Sequence, residues 1–154
     1  MSSLFVYTEY GTVKGRCKWW RLSFSAAEKQ IINHADGTLS PTRGPTCRKN
    51  VLRLLKDDLA KFYENNRLPQ KNICSYFMKT IVLQLCEEER SWAANDLRLR
   101  YVEALQKTVF CLDAKFIDHY FIEDENLLSE KDISDRELNM IKEYFHGILK
   151  NYEL

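Results

Sequence analysis

The sequence lacks the long apolar run that a membrane-spanning helix requires, and its N-terminus lacks the basic and then apolar segments of a secretory signal. Proline and glycine are scarce, at three and five in 154 residues, and two of each fall in residues 34–46, which we therefore expect to be a loop. The cysteines are scattered and odd in number, at Cys17, Cys47, Cys74, Cys86 and Cys111. Without a secretory signal, we expect reduced thiols in an intracellular protein that binds no membrane, located in the cytoplasm or, as the second choice, the nucleus.

Charge is distributed unevenly along the chain, although the net charge is only +1. Residues 1–56 hold ten Lys/Arg and three Asp/Glu, a balance of +7, and residues 57–154 hold thirteen and nineteen, a balance of −6. A basic N-terminal third is typical of proteins that bind a polyanion such as a nucleotide or a nucleic acid. Pairing with the acidic remainder of the same chain explains the asymmetry equally well, so both interpretations stay open.

The stretch "WWRLSFSAAEK" (residues 19–29) predicts an amphipathic strand that runs directly into a helix. Read with a period of two, the segment has two faces, with Trp20, Leu22 and Phe24 on one and Arg21, Ser23 and Ser25 on the other. Ser25 and Glu28 have the spacing of a capping box, which opens a helix. The polar face would bring a guanidinium, two hydroxyls and a helix N-terminus together, and all of these favour an anion. An edge strand with a solvated face and an ordinary helix cap is the alternative.

The strand signals are confined to the beginning of the chain. "LFVYTE" (residues 4–9) and "CKWWRLSF" flank a turn at Gly11 and predict a hairpin. A two-stranded sheet is marginally stable in water. We therefore interpret the hairpin as the last part of a larger sheet whose other strands are missing from this sequence.

The remainder predicts helices. Thr46 is placed to cap a helix whose apolar stripe consists of Val51, Leu55, Leu59 and Phe62. The segment from Phe77 to Cys86 is apolar nearly all round, which predicts a central buried helix. A long amphipathic helix, residues 96–116, and an irregular segment, residues 117–128, follow. Ser134 and Glu137 then form a second capping box, ahead of a stripe made of Leu138, Ile141, Phe145, Ile148 and Tyr152.

Five motifs follow one another in a specific order: "WRLSFSAAEK", "CRKNVLRLLK", "SYFMKT", a tryptophan, and "CL…HYFIEDENLL". Their order and spacing, over about residues 4–128, resemble the C-terminal half of the male-abnormal twenty-one (Mab) family, which includes cyclic GMP–AMP synthase. The resemblance implies a mainly α fold: the helical bundle lobe of a nucleotidyltransferase, with an N-terminal β-hairpin left over from the sheet lobe. We accordingly expect residues 1–24 to be remnant strands of the core sheet and residues 25–154 to be the helical Mab-like domain.

The resemblance also implies nucleotide-binding residues at the matching positions of the first two motifs. In the synthase branch, the arginine and serines of the equivalent strand line the nucleotide pocket. Arg21 would contact phosphate or base, which suits its planar bidentate guanidinium, and Ser23 and Ser25 would donate to the nucleotide. Lys56 matches a lysine that faces the triphosphate, although a solvated helix lysine explains it equally well.

The third motif matches the base pocket of the family. Ser75 and Tyr76 correspond to its serine and base-stacking tyrosine, and Lys79 to a lysine that faces the same cleft. A tyrosine ring can stack on any base. Phe77 stands where the family often has histidine, so the pocket is altered there. A tyrosine that merely packs in the core is the alternative for Tyr76.

Metal sites and catalytic acids are the main absences. The synthase holds zinc with a histidine and three cysteines around a DNA-gripping thumb, but here His34 and Cys47 have no cysteine between them, so we expect no zinc. Nucleotidyl transfer in this fold needs a Gly-Ser turn and acids that hold two Mg²⁺ or Mn²⁺ ions. The sequence contains no Gly-Ser dipeptide. Glu123 and Glu125 have the spacing of paired acids but lie beyond the long helix, where the family has no active site, and we interpret them as solvated.

The resemblance therefore implies half of a nucleotide-binding cleft, from a fragment or a truncated product of a synthase-like protein, and we expect no catalytic residue, no metal and no cofactor in this chain alone. Its expected partners are a nucleotide of the ATP or GTP type, the missing N-terminal lobe and double-stranded nucleic acid. The intact protein would make cyclic or linear dinucleotides in innate immune signalling. A non-catalytic binding scaffold and a nucleic-acid-binding module are the alternatives.

Overall fold

A computed structural model of the chain describes residues 6–10, 19–23, 25–34, 46–69, 75–88, 91–128 and 133–153; residues 6–10, 19–23, 25, 33 and 34 are described by their backbone alone. The elements are, in chain order, β1 (Val6–Tyr10), β2 (Trp19–Ser23), α1 (Ser25–His34), α2 (Arg48–Asn65), α3 (Ser75–Glu87), a 3-10 turn (Ala94–Asp96), α4 (Leu97–Ala114) and α5 (Asp135–Lys150). The prediction of a mainly helical lobe that begins with a hairpin is confirmed. The domain boundary after residue 24 stays a prediction.

The two strands form an antiparallel hairpin. Val6 pairs with Ser23 and Tyr10 with Trp19, so β2 lies within its predicted segment and β1 extends one residue past the end of its own. Within the described residues, no third strand joins this sheet.

The core lies where the two apolar helices meet. The predicted stripe of α2 is almost completely buried, and α3 is buried on nearly all sides, as its composition predicted. The residues concerned are Val51, Leu55, Leu59, Phe62, Phe77, Met78, Ile81, Val82, Leu83 and Leu85. Helix α3 contacts α1, α2 and α4, and its many buried residues place it in the interior of the bundle.

Helix α5 closes the bundle against α4 and α2. The Ser134 hydroxyl accepts a hydrogen bond from the Glu137 amide at 3.1 Å, which confirms the predicted cap. The Glu137 carboxylate in turn accepts from the Tyr63 hydroxyl at 3.0 Å, linking α5 to α2. Leu138, Ile141 and Phe145 are buried, as the stripe predicted.

The predicted capping of α2 by Thr46 is wrong. The N-cap residue is Cys47, and its side chain makes no capping hydrogen bond. Thr46 instead pairs with Ala93 in an isolated bridge, and the Cys47 amide donates to the Trp92 carbonyl at 2.8 Å. The segment that follows α3 therefore fixes the backbone in front of α2, and that contact between distant parts of the chain overrides the local capping signal.

The segment after α4 is irregular, as predicted, but well connected. Helix α4 ends two residues earlier than expected because Lys115 adopts a left-handed conformation (φ 53°, ψ 37°). The Asn126 side chain then bridges the segment: its carbonyl accepts from the Ile117 and Leu128 amides, and its amide donates to the Lys115 carbonyl. No helix among the described residues has both the length and the apolar character to cross a membrane.

Candidate functional site

An ion pair joins the beginning of α1 to the beginning of α3. The Lys79 ammonium lies 2.9 Å from the Glu28 carboxylate, and Glu28 is buried. Glu28 belongs to the first turn of α1, and Lys79 follows the first turn of α3. With a rise of about 1.5 Å per residue, Ser25 and Ser75 each lie within about 6 Å of this ion pair along the axis of their own helix.

The predicted pocket residues of the strand are only partly described. The backbone places Arg21 opposite Thr8 and Ser23 opposite Val6 in the hairpin, and Ser25 is the first residue of α1. Their side chains lie outside what the structure describes, so their contact with a nucleotide stays a prediction. Because residues two apart in a strand share a face, Arg21 and Ser23 lie on one side of β2.

Tyr76 is half-buried at the N-terminal end of α3 and packs against the core. Its hydroxyl oxygen lies 3.4 Å from Nε2 of His119, and the two ring centroids are 6.0 Å apart. The ring is thus held between the bundle and the irregular segment after α4. One part of the side chain is packed and another remains accessible, so the stacking of Tyr76 on a base stays a prediction.

His119 is the residue that sequence reasoning missed. Its Nδ1 atom accepts hydrogen bonds from the Phe121 and Ile122 amides, at 3.1 and 3.2 Å. A nitrogen that accepts two N–H groups carries no proton, so the proton of the neutral ring sits on Nε2. Nε2–H is then the donor that faces the Tyr76 oxygen, and the loop backbone fixes its orientation.

The two predicted lysines have different surroundings. Lys79 is engaged by Glu28, which offsets its charge and leaves its side chain about one-third exposed. Lys56 is half-buried in the middle of α2 and, among the residues that the structure describes, pairs with no carboxylate. Ser75 is exposed at the start of α3. Whether any of the three contacts a phosphate stays a prediction.

An acidic cavity of about 570 Å³ also borders His119. Its lining includes Glu87, Glu88, Asp118, Glu123 and Asp124, with Lys107 as the single cation. Burial, together with a hydrogen bond to Glu87, raises the pKa of Tyr120 to about 12, so the phenol stays protonated. So many carboxylates repel phosphate, so this cavity does not suit a phosphate group.

The predicted absence of zinc concerns residues that are only partly described. Cys47 is buried at the beginning of α2, and the side chain of His34 lies outside the described part of the chain. Within the described residues, no group of three or more potential ligands is arranged to hold a metal ion.

Comparisons with known proteins identify relatives that match most of this chain. The sequence model of the Mab-21 protein HhH/H2TH-like domain matches residues 47–146. A cyclic GMP-AMP synthase-like receptor of Magallana gigas is 29% identical over 134 residues, which cover 85% of this chain and 21% of the receptor. The cyclic GMP-AMP synthase of Sus scrofa is 33% identical over 126 residues, covering 76% of this chain and 25% of the synthase.

A third relative is named after mab-21 and not after the synthase. Protein mab-21-like 3 of Danio rerio is 26% identical over 137 residues, which cover 86% of this chain and 32% of that protein. The chain thus spans between about a fifth and a third of the length of these relatives.

Proposed function

This chain belongs to the Mab-21 family, and we propose that its helices form one wall of a nucleotide-binding cleft in a cyclic GMP–AMP synthase-like protein. The observation that carries the proposal is the setting of Tyr76. Its ring is half-buried, its hydroxyl faces a histidine of fixed orientation, and an ion pair links the beginning of α1 to the beginning of α3. An aromatic ring held in this way is prepared to stack on a base, because little side-chain entropy remains to be lost on binding.

In the proposed cleft each residue has a separate task. Tyr76 stacks on the base, and the hydroxyls of Ser75, Ser23 and Ser25 bond polar groups of the nucleotide. Arg21 binds a phosphate through two parallel N–H donors of its guanidinium group. Lys56 and Lys79 add positive charge; Lys79 also holds α1 against α3 through Glu28.

The proposed cleft needs a second wall, which this chain does not supply in the proposal. The chain spans only part of the length of its relatives. We propose that a sheet lobe supplies the catalytic acids and the Mg²⁺ or Mn²⁺ ions they hold, so that this chain alone is inactive. The complete protein would then carry out nucleotidyl transfer to a cyclic or linear dinucleotide as an innate immune signal in the cytoplasm.

The test is a set of Tyr76 variants in the chain joined to a sheet lobe. Base stacking on an aromatic ring is worth about 1–3 kcal/mol, so Tyr76→Ala should weaken ATP or GTP binding by roughly ten- to a hundredfold. Tyr76→Phe keeps the ring and should bind nearly normally. If Tyr76→Ala melts earlier but binds with unchanged affinity per folded molecule, the residue is core packing and the proposal fails.

A second candidate function, nucleic-acid binding, is supported by a different observation. Lys49 and Arg53 are exposed on α2, the helix in which the basic third of the sequence ends. Binding of duplex DNA or RNA that weakens steeply with salt, and that falls in an Arg53→Ala variant but not in Tyr76→Ala, would favour this function over a base pocket.

A further inference from the structure

The unsatisfied polar groups of this protein are concentrated around one side chain, Trp92. Among the described residues, four buried side-chain atoms have no hydrogen-bond partner: Thr46 Oγ1, Arg48 Nε, Trp92 Nε1 and Arg100 Nε. They come from three different segments that meet here. Thr46 pairs with Ala93 beside the indole, and both guanidinium groups lie over the ring.

The distances place both arginines against the same indole ring. Cζ of Arg48 lies 5.3 Å from the centre of the Trp92 ring, and Cζ of Arg100 lies 5.9 Å from it. Trp92 and Arg100 are 4% and 6% exposed. Leaving four buried polar groups without partners would cost a large part of the folding free energy of a domain of this size, so a group that satisfies them is expected.

The chemistry of the four atoms favours a ligand that accepts hydrogen bonds. The two Nε–H groups and the indole N–H can only donate, and only the Thr46 hydroxyl can also accept. A bound water would need acceptors for its own two hydrogens, whereas an anion needs none. A negative charge also suits the site, because Arg100 is paired with Glu103 while Arg48, among the described residues, has no carboxylate partner and reaches only the Ile31 carbonyl.

The free edges of the guanidinium groups indicate which kind of anion. On Arg48 the Nη1 atom is occupied by Ile31, and on Arg100 it is occupied by Glu103. The edge that remains on each is Nε with Nη2, which can hold two oxygens of one group through parallel N–H bonds. This edge matches an oxyanion better than a spherical halide. The N-terminus of α2, whose first helical residue is Arg48, adds its positive dipole end.

We propose that Trp92, Arg48, Arg100 and Thr46 form a binding site for a phosphate group. It is separate from the proposed nucleotide cleft, because Tyr76 begins α3 and Trp92 lies beyond its end, and the 13 residues of α3 span about 20 Å. The bound phosphate joins the start of α2 to the start of α4 through its two arginines, so it also stabilises the bundle. Its source is either free inorganic phosphate or the phosphate of an ester.

The experiment follows the side-chain N–H resonances of the ¹⁵N-labelled chain during titration with inorganic phosphate, with chloride as the control at constant ionic strength. The Trp92 indole signal is identified by its loss in Trp92→Phe. We expect it to shift saturably with phosphate, together with two arginine Nε signals, and not with chloride. Arg48→Lys keeps the positive charge but loses the two parallel N–H donors of the guanidinium group. It should weaken phosphate binding about tenfold, as expected for one charge-assisted hydrogen bond.

Arg98→Lys is the matched control, since Arg98 lies exposed on α4, the helix that also carries Arg100, and its substitution should leave the phosphate affinity unchanged. A parallel titration with a nucleoside monophosphate distinguishes the sources: shifts of the same three signals only with the monophosphate identify an esterified phosphate. The absence of a saturable shift with either ligand would overturn the site. So would an equal shift with chloride, or unchanged phosphate affinity in Arg48→Lys.

Discussion

The Lys79 ammonium and the Glu28 carboxylate lie 2.9 Å apart, although 51 positions separate them in the sequence, and the carboxylate side chain is only 5% exposed. The pair therefore couples α1 to α3 through a charge that has little access to water. A second pair, Lys142 with Asp113, has a lysine of similar exposure (24% against 29%) but a carboxylate that is 71% exposed. Substituting the lysine in each pair and comparing the two results therefore separates the effect of carboxylate burial from the effect of losing a lysine.

We expect Lys79→Met to lower the free energy of unfolding by about 2 kcal/mol, because it leaves a buried carboxylate without its partner. Lys142→Met should change it by no more than about 0.5 kcal/mol. The double variant Glu28→Gln/Lys79→Met should recover part of the loss. Urea unfolding of the variants measures this, and equal effects of the two lysine substitutions would contradict it.

The left-handed residue after α4 gives a second prediction. Lys115 has φ 53°, its amide donates to the Leu112 carbonyl, and the Phe116 amide donates to the Cys111 carbonyl, as in a Schellman motif. Glycine adopts this conformation without steric cost, so Lys115→Gly should raise the free energy of unfolding by about 0.5–1 kcal/mol. The lost surface pair with Asp135 offsets little of this.

Lys115→Ala is the control, because it also removes the ion pair but keeps the Cβ atom. The melting temperature of the glycine variant should be higher than that of the wild type and that of the alanine variant. A glycine variant that melts no higher than the alanine variant would show that the backbone at this position is not strained.

Asp58 provides a pH-dependent prediction. Burial raises the pKa of Asp58, although the hydrogen bond that it accepts from the Tyr101 hydroxyl opposes the shift. Because the folded-state pKa lies above the unfolded-state value, the folded protein binds more protons in the window between the two. The contribution of Asp58 to stability is thus fully present at low pH and falls as pH rises through its folded-state pKa.

Asp58→Asn removes this titration while its amide oxygen can still accept from Tyr101. The stability of the wild type relative to the asparagine variant should therefore decrease as pH rises from about 4. Urea unfolding at a series of pH values measures the difference, with Glu64→Gln, at an exposed position of the same helix, as the control. A difference that grows with pH would mean that the hydrogen bond outweighs burial.

The sequence predicted the parts of this fold that depend on local pattern. The stripe of Val51, Leu55 and Leu59 and the apolar surround of α3 follow from periodicity, because a helix with such a pattern can only be stable when it is buried. The partners of polar groups depend on which segments meet in space. Glu28 was interpreted as half of a capping box, whereas its carboxylate meets Lys79. His119 could not be recognised, because an irregular loop positions it.

The contact between His119 and Tyr76 gives the last prediction. His119 has two tasks: its Nδ1 accepts the Phe121 and Ile122 amides, and its Nε2 faces the Tyr76 hydroxyl. Asparagine can accept both amides, as in an Asx turn, but is too short to reach the phenol. His119→Asn should therefore unfold within about 1 kcal/mol of the wild type, whereas His119→Phe, which leaves both amides without their acceptor, should lose about 2 kcal/mol. If the phenol is oriented for base binding, the asparagine variant, joined to a sheet lobe, should still bind ATP or GTP more weakly, by about threefold to tenfold, the equivalent of one neutral hydrogen bond. Urea unfolding and nucleotide titration on the same proteins separate the two tasks. An asparagine variant that is as stable as the wild type and binds equally well would restrict His119 to holding its loop.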